Sequence, residues 1–127
     1  MRSPPARRVL VVDDVPDSRE TLVLLLQIEG HEAIAASSGP MALELALAWR
    51  PDVALLDLGL PGMDGTELAR RLRALPELAG LRLAALTGYA RPQDRERTKA
   101  AGFDAHFAKP VDPDVLLEWV ATGRARD

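Results

Sequence analysis

The chain has 127 residues, 47% of them hydrophobic and 28% charged, so it is long and apolar enough to bury one real core and is not a disordered segment. A net charge of −3 argues against nucleic-acid binding by bulk charge, and the absence of cysteine removes disulfides, thiol catalysis and thiolate metal sites together. No apolar run approaches the roughly 20 residues of a membrane helix and no secretory signal opens the chain, so one cytoplasmic domain is expected at residues 9–121, with short tails at 1–8 and 122–127.

The elements follow in chain order. Met1 to Arg8 is rich in Pro and Arg and carries no periodic pattern. Val9-Leu10-Val11-Val12 is β-branched, too short for a helix, and ends at Asp13-Asp14, which predicts a first strand. Pro16 sits where a first helical turn tolerates proline, and Leu22, Leu25, Leu26 and Glu29 recur at helical spacing until Gly30 stops the helix. His31, just past that glycine, is expected at the surface. Glu32 to Ala36 reads as a second strand, and Ser38 as the N-cap of a helix holding Met41 to Trp49 and ended by Pro51. Val53 to Leu56 is a third apolar run, ending at Asp57.

Asp64 is placed to cap a helix through Glu67, Leu68, Arg71 and Leu72, which breaks near Pro76. Leu81 to Leu86 predicts a fourth strand ending at Thr87. Gln93 to Ala101 is a very polar helix closed by Gly102; its run Asp94-Arg95-Glu96-Arg97 reads as a solvated face, so this helix buries little and is weakly anchored. Ala105 to Ala108 is a short fifth strand ending at Lys109-Pro110. Pro113 to Ala121 is the last helix, with Val115, Leu116, Trp119 and Val120 on its apolar side. Five β-then-α units whose strands are apolar on both faces predict an α/β fold, a parallel sheet covered by helices on each side.

The polar residues that end the strands carry the chemistry. In open parallel sheets ligands bind outside the carboxyl ends of the strands, so Asp13, Asp14, Asp57, Thr87 and Lys109 converge on one edge. Three clustered carboxylates repel, and a divalent cation offsets that cost; all-oxygen ligands favour Mg²⁺ over zinc. The ion leaves room for a phosphoryl group whose oxygens Thr87 and Lys109 could bind, and a carboxylate can itself attack phosphorus to give an aspartyl-phosphate.

This set resembles the receiver domain of bacterial two-component response regulators, with a flavour of the receivers found in hybrid sensor histidine kinases. The matching pieces are Val11-Val12-Asp13-Asp14, the loop from Leu56-Asp57 through Gly59, Pro61 and Gly62 to Asp64-Gly65, then Leu86-Thr87-Gly88 and Ala108-Lys109-Pro110. The resemblance implies a flavodoxin-like sheet in the order 2-1-3-4-5, with Asp57 as phosphoacceptor. It also implies a Mg²⁺ site in which Asp14 binds the ion directly, Asp13 supports it mainly through water, and the Gly59 backbone carbonyl adds a ligand. Thr87 and Lys109 would contact the phosphoryl oxygens, and Pro110 would follow a cis peptide bond. The expected partners are a sensor histidine kinase or histidine phosphotransfer protein as donor and a downstream protein, with no nucleic acid and no membrane. The signal would leave through the fourth helix, fifth strand and last helix, in a phosphoacceptor rather than a turnover enzyme.

Where receivers often carry Tyr or Phe three residues before the lysine, this chain has His106, with Phe107 beside it; His106 is either a switch or a half-exposed strand residue. Two positions in the family face the water that would hydrolyse the phosphoryl group, here Gly59 and Tyr89, and both point to slow loss. Each site residue has a plainer reading alone, a solvated turn for Asp13-Asp14 or a loop cap for Asp57. Lys109 gains weight because only two lysines accompany 14 arginines. Rival functions are a phosphorylation-independent interaction module and a flavin or nucleotide binder, the latter opposed by the lack of a glycine-rich fingerprint after the first strand. An aspartate-based phosphatase would be expected to carry a second Asp where Gly59 stands. No space is left in 127 residues for an output domain, so the protein works alone or is one part of a longer chain.

Overall fold

The computed structural model describes residues 6–60, 62–88 and 92–123. In chain order the elements are β1 (Arg8–Val12), α1 (Pro16–Ile28), β2 (Glu32–Ala36), α2 (Gly39–Trp49), β3 (Val53–Asp57), α3 (Gly65–Arg73), a single 3-10 turn (Pro76–Leu78), β4 (Arg82–Thr87), α4 (Pro92–Ala100), β5 (Ala105–Ala108) and α5 (Pro113–Thr122). The strands form one parallel sheet in the order β2-β1-β3-β4-β5. The alternation and the order match the expectation; the differences lie at element ends. Asp57 and Thr87 belong to the last rungs of their strands, where Asp57 pairs Leu86 and Thr87 pairs Ala108. Helix α2 begins two residues earlier than its apolar pattern, because Gly39 and Pro40 fill a first turn in which missing amide bonds cost nothing.

Strand alternation divides the core in two. Leu10, Val12, Leu56 and Leu83 face α2 and α3, with Leu68, Leu72 and Phe103 packed on them. Val9, Val11, Leu55 and Leu86 face α1 and α5, with Leu26, Leu116 and Trp119. Residues 9–12 of β1 and 53–56 of β3 are fully buried on both faces, which is why their sequences read as unbroken apolar runs. Phe107 meets Trp119 edge-on at 5.9 Å within a largely aliphatic interior.

Capping follows the sequence. Ser38 accepts from the Met41 amide at 3.3 Å, Asp64 Oδ1 from the Glu67 amide at 2.9 Å, and Asp112 from the Asp114 amide at 2.9 Å. Helix α4 has a single buried side chain among its described residues, Thr98, as its polar sequence predicts. His31 corrects an expectation: it is buried rather than on the surface, because its Nδ1 accepts the Arg7 amide at 3.0 Å while Glu32 donates to the Arg7 carbonyl at 2.9 Å. The segment entering β1 thus covers the turn after α1.

Candidate functional site

Parallel strands end at one edge, and the structure brings the expected residues together there. Asp13 follows β1, with its Oδ1 accepting the Val15 amide at 2.9 Å. From α1, Arg19 donates to the Asp13 carbonyl at 2.9 Å and pins the turn. Asp57 ends β3, buried, with both oxygens engaged: Oδ1 accepts the Gly59 amide at 2.9 Å and Oδ2 the Lys109 ammonium at 2.9 Å. Lys109 sits one residue past β5, tied back by its amide to the Thr87 carbonyl at 2.8 Å, and its bond to Pro110 is cis. Thr87 is buried at the end of β4 and shares a cavity wall with Asp57.

Asp13, Asp14 and Asp57 offer carboxylate oxygens that all lie within 4.8 Å of one another, with Asp13 and Asp57 buried and Asp14 exposed. Burial pushes the Asp13 carboxyl above its ordinary range, and the charges of Asp57 and Asp14 push the same way, against the Val15 amide and the Lys109 ammonium. A single ammonium against three carboxylates leaves the cluster short of positive charge. An all-oxygen donor set under that strain fits a hard divalent cation such as Mg²⁺.

The far wall was not legible in the sequence. Asp57, Gly59 and Thr87 line a cavity of about 280 Å³ whose other side is Asp64 of the loop before α3 and Asp94, Arg97 and Thr98 of α4. The run expected to be only a solvated helix face therefore contributes to the site, because Asp94 and Arg97, three residues apart, share one side of the helix. The Thr66 hydroxyl, at 2.5 Å, and the Glu67 amide hold the Asp64 carboxyl below its usual range, and the positive charge of Arg97 adds to their effect. His106 is half-buried on β5, and its Nδ1 shares a 3.1 Å hydrogen bond with the Thr98 hydroxyl of α4. Pro61 and Tyr89, both singled out in the sequence, lie outside the described residues.

Residues 9–121 match the response regulator receiver domain family. The chain belongs to that family. Receivers are phosphorylated on an aspartate in two-component signalling. This one is 34% identical over 113 residues to sporulation initiation phosphotransferase F of Bacillus subtilis, covering 89% of this chain and 90% of that protein. It is 41% identical over 112 residues to an uncharacterized 14.6 kDa protein of the sodA1 3′ region of Leptolyngbya boryana, covering 88% and 86%. Among solved structures, the chemotaxis protein CheY4 of Vibrio cholerae superposes with a TM-score of 0.85 at 31% identity, covering 90% of this receiver and 95% of that chain.

Proposed function

We propose that this receiver takes a phosphoryl group from a phosphohistidine onto Asp57 and passes the change to the surface formed by α4, β5 and α5. The observation that carries the reading is the fixed Asp57 carboxylate, held by Gly59 and Lys109 beside two further carboxylates. An Asp57 oxygen attacks phosphorus, the P–N bond breaks, and its electron pair returns to the leaving imidazole. Lys109 then follows the new charge from the carboxylate to a phosphoryl oxygen, and the buried Thr87 hydroxyl turns to another. Asp13, Asp14, Asp57 and the Gly59 carbonyl would hold Mg²⁺, which when bound neutralises charge building on the transferring group. Nothing is turned over repeatedly; the chain is an autocatalytic phosphoacceptor acting in the cytoplasm.

A groove of about 410 Å³ between α1 and α5 supports a protein donor. It opens beside Asp13 and Lys109 and is walled by Leu22, Leu25, Leu116 and Leu117. An apolar helix of a kinase or phosphotransfer protein seated there would bring its phosphohistidine to the end of β3. The test is acetyl phosphate with and without Mg²⁺, read by the mass of the intact protein. One added phosphoryl group that requires the metal is expected; no gain, or a gain indifferent to Mg²⁺, would contradict the reading.

A further inference from the structure

Helix α4 is unusual in how little holds it. Among its described side chains only Thr98 is buried, and Thr98 joins it to β5 through a hydrogen bond with His106. Its C-terminal end is tethered elsewhere: the Arg73 guanidinium of α3 donates to the Gly102 carbonyl at 2.8 Å and to Asp104 at 2.7 Å, and also to the Leu81 carbonyl. A helix fixed at one end and packed mainly through polar groups responds to charge more than to apolar fit.

Two opposite charges of α4 face the cavity shared with Asp57 and Thr87. The Arg97 guanidinium forms no ion pair among the described residues. Asp94 Oδ2 is buried without a hydrogen-bond partner there. A phosphoryl group on Asp57 would add roughly 1.5 to 2 negative charges to this space. It attracts the one group and repels the other.

We infer that Arg97 is the charge through which α4 senses phosphorylation, leaving the neighbourhood of Asp64 to contact a phosphoryl oxygen while Asp94 is driven outward. Resting on the assignment of Asp57 as phosphoacceptor, this makes Arg97 a positioning residue for the signalling state. The attraction at residue 97 and the repulsion at 94 turn the helix about its axis, with the Arg73 tether as pivot. Thr98, the residue after Arg97 and hydrogen-bonded to His106, carries the turn to β5.

The test uses Mg²⁺ with beryllofluoride, a phosphoryl mimic, on the parent chain and on Arg97→Gln, Arg97→Lys and Arg95→Gln. Arg95 is an exposed α4 arginine that does not line the cavity. Arg97→Gln should weaken apparent affinity for the mimic about three- to tenfold, the loss of one charge-assisted contact. It should also lose the mimic-dependent change in amide exchange across residues 92–100, while the mimic-free thermal midpoint stays put. Arg97→Lys should restore part of both, and Arg95→Gln should behave as the parent. Unchanged affinity and exchange in Arg97→Gln would overturn the role of Arg97 and leave Asp57 standing; an equal effect in Arg95→Gln would reduce it to bulk charge and overturn it too. If the parent itself takes up neither mimic nor phosphoryl group, the underlying assignment of Asp57 has failed and the inference falls with it.

Discussion

The most consequential single atoms are the two oxygens of Asp57, one bound by an amide two residues on and the other by an ammonium 52 residues away. Lys109 stands out in a chain so poor in lysine, and its compact ammonium suits the passage from carboxylate to phosphoryl oxygen proposed for it. His31 was misplaced for the opposite reason: its partner is a backbone amide of the N-terminal segment, which no side-chain pattern announces. Burial lowers its pKa, and the positive charge of Arg7 works in the same direction against Glu29. Unfolded histidine takes up a proton near pH 6.5, whereas the folded side chain resists until lower pH, so this contribution to stability is complete above about 6.5 and is lost as pH falls below it. Denaturant midpoints between about pH 7 and 5.5 should therefore fall more steeply for the parent than for His31→Gln; equal slopes would show that His31 does not carry the dependence.

At the scale of elements, the approach of α3 to β3 sets the acceptor loop. A Cβ added at Gly65 would lie 2.9 Å from the Asp57 carbonyl and 2.9 Å from Leu58 Cα, and backbone atoms so placed cannot yield. Gly65→Ala should cost about 1–3 kcal/mol in chemical denaturation and slow phosphorylation, since α3 must back away from the acceptor strand. A variant as stable and as quickly phosphorylated as the parent would contradict this close fit. The Arg73 tether is the second such element, joining α3 to the turn between α4 and β5. Arg73→Met should lower unfolding free energy by about 2 kcal/mol, because it strands two carbonyls and the Asp104 carboxylate, which also holds the Leu83 amide at 2.8 Å. A loss under about 0.5 kcal/mol would mean that water replaces the guanidinium freely. Neither feature could be read beforehand. Gly65 reads in the sequence as part of the loop after Asp57, and nothing in the pattern around Arg73 announces partners at Leu81, Gly102 and Asp104.

For the whole molecule, strand periodicity was enough. Runs such as Val9-Leu10-Val11-Val12 and Val53-Ala54-Leu55-Leu56 are apolar on both faces only if helices cover both, and with the polar strand ends this pattern directs the site to one edge of the sheet. What stayed hidden was the third dimension of that edge: the wall supplied by α4, whose charged sequence has the same appearance on a solvated face as over a cavity. The fold and the near wall are legible because they follow from local pattern; the far wall depends on how a weakly held helix lies. The central claim is that one carboxylate, Asp57, carries the phosphoryl group. It is tested most directly by intact mass after treatment of Asp57→Asn with acetyl phosphate and Mg²⁺, beside the parent. The account predicts one phosphoryl group on the parent and none on the variant, whereas a full mass gain in Asp57→Asn would place the acceptor elsewhere.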